Sequence, residues 1–166
     1  MLISCGSSWA FDCTGRRLDK MKLDDIFASW TSDSTIDKTE LGIESTKIPT
    51  LHAKYIKIYA QENLLFRRLT SEYKSLECKK FEYYSGKMDE DDLKLLGWDQ
   101  FDKRILKQDV HRYLDADADL IKKLLSLDYQ KEKVETLKSI LSTINGRSFH
   151  ISNAVKWHLW LNGSNV

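Results

Sequence analysis

The sequence predicts an all-α fold built from long amphipathic helices, and two observations carry that prediction. Turn formers are scarce: there are 7 glycines and the single proline Pro49 in 166 residues, too few for a turn-rich all-β protein. Leucine, lysine, glutamate and aspartate are abundant, and apolar residues recur at three- and four-residue steps over two long stretches. The length suits one compact domain or one protomer of an assembly. A hydrophobic content of 42% beside 31% charged residues fits a globular chain rich in charge for one with a large core. The formal net charge is +1, so the molecule is not a polycation, and any nucleic-acid reading must rest on where the charges sit.

Residues 1–20 read as a leader, either disordered or upstream of a true start at Met21. Met1-Leu2-Ile3 lacks the basic flank and sustained apolar core of a signal peptide. Cys5, Cys13 and Cys78 form no metal pattern, and their scatter suits a reducing cytosol. No apolar run approaches the roughly 18 residues of a spanning helix.

Residues 21–48 read as two short helices. Leu23, Ile26, Phe27 and Trp30 mark the first, Ser32 to Thr35 a loop, and Ile36 to Ser45 the second. Both are too short to stand alone in water and need something to pack on. A long helix then starts at Pro49, a residue that fits a first turn, and runs to about Tyr83. Its stripes are Tyr55, Ile58, Leu65, Leu69 and Leu76, and beside them Ile56, Tyr59, Phe66 and Tyr73. At about 1.5 Å per residue it reaches roughly 50 Å, longer than a small globule needs, which suggests packing between subunits as well as within one.

Charge divides the middle of the chain. Lys54 to Lys87 carries a net +4, and Met88 to Asp119 a net −5. The plain reading of the basic segment is a solvated helix face with ion pairs such as Glu77 with Lys80. Asp115, Asp117 and Asp119 alternate like a calcium loop, but neither the glycine nor the closing glutamate follows, so a helix cap at Asp117 or Asp119 is the better reading. Residues 100–114 fit neither period, which leaves a short hairpin open there. The second long helix runs from about Asp119 to Ile144 on Leu120, Leu124, Leu127, Val134, Leu137 and Leu141, and Asn145-Gly146 ends it. Ser148 caps a final helix to about Leu161, dense in apolar side chains, which either docks on the chain's own core or forms a subunit contact.

No catalytic constellation is present. The sequence has no glycine-rich phosphate loop, nucleophile elbow or His-Glu-x-x-His, and its four histidines are scattered, so the reading is of a non-enzyme without cofactor or metal. The distinctive stretch is Glu77 to Lys87, where lysines interleave with rings: Lys79, Lys80, Phe81, Tyr83, Tyr84 and Lys87. Lysine supplies charge for a phosphate chain and a ring supplies a face on which a base stacks. The plainer alternative is that Phe81 and one tyrosine are ordinary core residues at a helix end.

Lys79-Lys80-Phe81-Glu82-Tyr83-Tyr84-Ser85-Gly86 resembles the basic, aromatic-rich Tyr-Tyr-Ser-Gly signature of the UvsY family of phage recombination mediators. Met21 to Ile26 resembles the start of such a protein, and Gly146 to Ile151 its closing segment; the likeness covers about residues 21–163. The family's basic residues before the tyrosine pair map onto Lys80 and Lys79, while Cys78 stands where the family has another cation. The resemblance implies a ring-like homo-oligomer of six or seven subunits in the cytoplasm of an infected bacterium. Such a ring holds single-stranded DNA and helps the phage recombinase displace the phage single-strand-binding protein. It divides the chain into short N-terminal helices (21–48), a DNA-binding region (49–117) and C-terminal oligomerisation helices (118–166). The expected DNA contacts are Lys74, Lys79, Lys80, Tyr83, Tyr84 and Lys87, and the expected subunit contacts are Phe149, Ile151, Val155, Leu159 and Trp160. The competing reading is a helical structural or adaptor protein without nucleic-acid contact, whose lysines only keep a long helix soluble.

Overall fold

The computed structural model of the chain describes residues 21–101, 103, 105, 106 and 108–163. The expectations for residues 1–20, a start at Met21 among them, lie outside the described residues. Among the described residues there are five helices and no strand. The chain divides into one unit ending at Thr35 and a second beginning at Ile36.

The first unit contains α1, Leu23–Ser34. Asp24 and Asp25 occupy its first turn, where negative charge complements the helix dipole, and the Lys22 N–H donates to the Asp25 carboxylate at 3.0 Å. Ile26 is buried. The loop expected from Ser32 is instead helix as far as Ser34. The Ser34 hydroxyl donates to the Thr31 carbonyl at 3.1 Å and the Thr35 hydroxyl to the Ser32 carbonyl at 3.2 Å, so side chains occupy carbonyls that a helix end leaves open.

The second unit is α2 (Leu41–Tyr84), α3 (Glu90–Leu96), α4 (Val110–Asp115) and α5 (Ala118–Leu161). At 44 residues each, α2 and α5 are about 66 Å long by the ordinary helical rise. They lie antiparallel, as the ion pairs between them show: Glu44 with Arg147, Glu62 with Lys133, Glu72 with Lys123 and Lys80 with Asp117. Tyr55 of α2 and Leu137, Ile140, Leu141, Ile144 and Ile151 of α5 are buried. A second cluster joins Val110 and Leu114 of α4 to Leu120, with Tyr73, Leu76, Tyr84 and Ile105 packed against it.

Three expectations are corrected. Pro49 does not start the long helix but lies inside it, eight residues past Leu41, and the short helix expected over Ile36 to Ser45 is helical only from Leu41, as α2's first part. Proline cannot bond the carbonyl four residues back, yet the helix is anchored on α5 from both sides: Arg147 holds Glu44 at 2.8 Å before it, and Lys133 holds Glu62 at 2.6 Å beyond. Asn145-Gly146 does not end α5, and Gly146 is helical. Ile144, Arg147 and Ile151 are buried on either side, and that packing outweighs the roughly 1 kcal/mol a glycine costs in a helix. The hairpin left open at 100–114 is not formed among the described residues: Val110 and Leu114, one turn apart, bury one face of α4.

Candidate nucleic-acid interface

The Tyr-Tyr-Ser-Gly stretch ends α2 as its sequence suggests. Gly86 takes the left-handed conformation at φ 66°, its N–H bonds the Tyr83 carbonyl at 3.1 Å, and the Lys87 N–H bonds that of Glu82 at 3.0 Å. The same device recurs at the end of α3. Gly97 has φ 69°, and the Trp98 N–H reaches the Leu93 carbonyl at 3.0 Å. This turn delivers the Trp98 indole to the end of α2, where it meets Tyr83 edge-on at 5.3 Å and takes the Lys80 ammonium over its face at 4.4 Å.

Lys80 is at the centre of this end of the molecule. It is 6% exposed, and its ammonium lies 2.8 Å from Asp117 and 2.7 Å from Asp119. Asp117 also accepts the Tyr84 hydroxyl at 2.9 Å, and its other oxygen caps α5 by accepting the N–H groups of Asp119 at 2.9 Å and Leu120 at 3.0 Å. The cap expected at Asp117 or Asp119 is therefore Asp117. Burial alone would raise the Asp117 carboxyl, but the Lys80 ammonium, the Leu120 N–H and the Tyr84 hydroxyl together hold it below its ordinary value. Burial opposes the charge on Lys80, and the two carboxylates overcome that and push its pKa up. Burial and then the bond to Asp117 push the Tyr84 phenol up, so it stays a hydrogen-bond donor.

The expected DNA contacts thus fall into two groups. Lys74, Lys79 and Lys87 are exposed and form no ion pair with a described residue, so their ammonium groups face water. Lys80, Tyr83 and Tyr84 are built into the fold. Tyr83 donates to the Asp99 carbonyl at 2.9 Å, and both tyrosine rings pack on Phe101, at 5.5 and 5.2 Å. Phe81 remains 39% exposed, beside His111 at 6.4 Å. Trp98 and Asp117 were missed as parts of this site. The signal for Trp98 was present: an aromatic residue directly after a helix-ending glycine often packs back on the helix.

The expected subunit contacts also divide. Ile151 is buried within the hairpin, whereas Phe149 and Trp160 are each 66% exposed and Val155 and Leu159 each 40%. Trp157 stacks on Trp160 at 5.1 Å and is itself largely exposed. Among the described residues no group of three His, Cys, Asp or Glu is placed to hold a metal ion. Nor is any described helix long and apolar enough to cross a membrane.

The chain is similar in sequence and fold to known proteins. Residues 29–164 match the family model described as "Recombination, repair and ssDNA binding protein UvsY". The recombination protein uvsY of Enterobacteria phage T4 is 26% identical over 133 residues, covering 80% of this chain and 92% of the phage protein. Two crystal structures of the bacteriophage T4 recombination mediator protein UvsY share the fold. One has a TM-score of 0.75 at 24% identity over 86% of this chain and 98% of that one; the other has 0.74 at 24% over 84% and 99%. With the family model spanning both long helices and the cluster between them, the chain belongs to the UvsY family of recombination, repair and single-stranded-DNA-binding proteins.

Proposed function

We propose that the chain is a recombination mediator: it binds single-stranded DNA as a homo-oligomer and helps the phage recombinase load onto strands covered by single-strand-binding protein. The observation that carries this reading is the family match across both long helices, joined to three exposed cations, Lys74 and Lys79 in the last part of α2 and Lys87 just beyond it. A few lysines on one protomer hold a phosphate chain weakly and lose it as salt rises. Several protomers engaging one strand multiply the apparent affinity without any new contact. The oligomer is supported by the exposed Phe149, Val155, Leu159 and Trp160, with Trp157, on α5; Ile151, already buried, serves the fold instead. Lys80, Tyr83 and Tyr84 support the interface from within by fixing the end of α2 and the turn that follows.

Mass measurement in solution, with and without an oligonucleotide at two salt concentrations, tests the reading. An oligomer that binds at low salt and releases at high salt is expected, and a monomer indifferent to the strand in dilute buffer overturns it. Recombinase loading onto a pre-covered strand, with and without this protein, tests the mediator step. One observation favours the adaptor reading, the internal pairing of Lys80, which makes that lysine structural. Unchanged strand binding after alanine replaces Lys74, Lys79 and Lys87 together would favour it further.

A further inference from the structure

Beside Lys79 the surface holds a groove of about 370 Å³. Ser71, Glu72, Ser75 and Lys79 of α2 form one wall, Trp98 another, and Lys123 of α5 a third. The three α2 positions 71, 75 and 79 are one helical turn apart, so two hydroxyls and one ammonium line up along the groove. The Trp98 ring is held in place by the turn at Gly97, by the Lys80 ammonium and by Tyr83. A preset aromatic wall facing hydroxyls and two lysines suits one nucleotide of a flexible strand: ring for the base, cations and hydroxyls for the phosphate.

One feature of the groove opposes that use. Glu72 takes the Lys123 ammonium and also accepts from Arg68 at 3.1 Å, so a carboxylate stands where a phosphate would seek the same cation. Glu72 is only partly covered, and the Lys123 bond first, with Arg68 adding to it, holds its carboxyl below the ordinary value.

We propose that this groove is a nucleotide subsite on the strand's path, with Trp98 as the base platform, Lys79 and Lys123 as phosphate partners, and Glu72 as an internal competitor for Lys123. The inference deepens the single-strand reading above and rests on it.

The test uses the full chain and an oligothymidylate carrying iodouracil. Irradiation is expected to cross-link the base to the peptide bearing Trp98, and Trp98→Phe to weaken binding about threefold and reduce the cross-link. Glu72→Gln is expected to tighten binding several-fold and to steepen the salt dependence by about 0.7 in log–log slope, as one added phosphate contact on a single strand would. Circular dichroism establishes that both variants are folded. Cross-links confined to other peptides, or a Glu72→Gln protein that binds no tighter, overturn the subsite. A wild-type chain that binds no strand at all defeats the single-strand reading itself, so the two failures are told apart.

Discussion

The two ends of the α2–α5 hairpin invert the usual arrangement of side chains, each in its own way. At the Tyr-Tyr-Ser-Gly end, charges go inside: Lys80 and Asp117 are nearly covered, and rings and a helix cap close around them. At the far end of α5, rings go outside: Phe149, Trp157 and Trp160 are each more than half exposed. A buried ion pair adds little net stability but penalises every arrangement that separates it. The first end is therefore complete within one chain, with its lysine already neutralised. The second leaves apolar surface that a lone chain does not cover. The difference separates motif residues that hold the fold from apolar residues left on the surface, a distinction that residue type alone does not make.

The largest expected effect is at the buried end. Asp117→Ala removes the partner of Lys80, the acceptor of Tyr84 and the cap of α5, and is expected to cost about 3–5 kcal/mol in urea denaturation. At the exposed end, Trp157→Ser with Trp160→Ser should leave helical circular dichroism unchanged while shifting the mass in solution toward the monomer. Retention of the oligomer would remove the contrast between the two ends. Acid gives a smaller effect. The carboxyls of Asp117 and Glu72 lie below their ordinary values of 3.8 and 4.5 in the folded chain. Their contribution is therefore complete above those values and is lost as pH falls through the lower folded ones. Stability followed below about pH 4 should fall less steeply in Asp117→Asn than in the wild type. The smallest effect is at Gly146, whose added Cβ meets no atom within 4 Å. Gly146→Ala should raise the melting free energy by up to about 1 kcal/mol, since α5 is continuous there.

Helix content was legible in the sequence, and part of the apolar stripe of α5 with it: Leu120, Leu137, Leu141 and Ile144 are buried at the helical period, whereas Leu124 of the same stripe is 40% exposed. The Asp117 cap and the turn at Gly86 were legible because each depends on residues close in sequence. Helix ends at Pro49 and Asn145-Gly146 were misread because contacts about a hundred residues distant, Glu44 with Arg147, override a local breaker. The core of α2 was misread for a related reason. Its buried residues are Glu44, Tyr55, Glu62 and Lys80, three of them charged, and a charge looks solvent-facing until its partner on α5 is known. Gln130 and Lys133 both meet the Glu62 carboxylate at 2.6 Å, a node that no periodicity marks. Within the candidate interface the division between Lys79 and Lys80, adjacent in sequence, depends on where Asp117 and Asp119 lie.

That division is tested most directly by the salt dependence of oligonucleotide affinity in Lys79→Ala and Lys80→Met. Lys79→Ala is expected to reduce the log–log slope by at least about 0.7, the loss of one phosphate contact, with little change in stability. Lys80→Met is expected to lower stability and leave the slope as it is. A slope that falls for Lys80→Met and holds for Lys79→Ala would contradict the account.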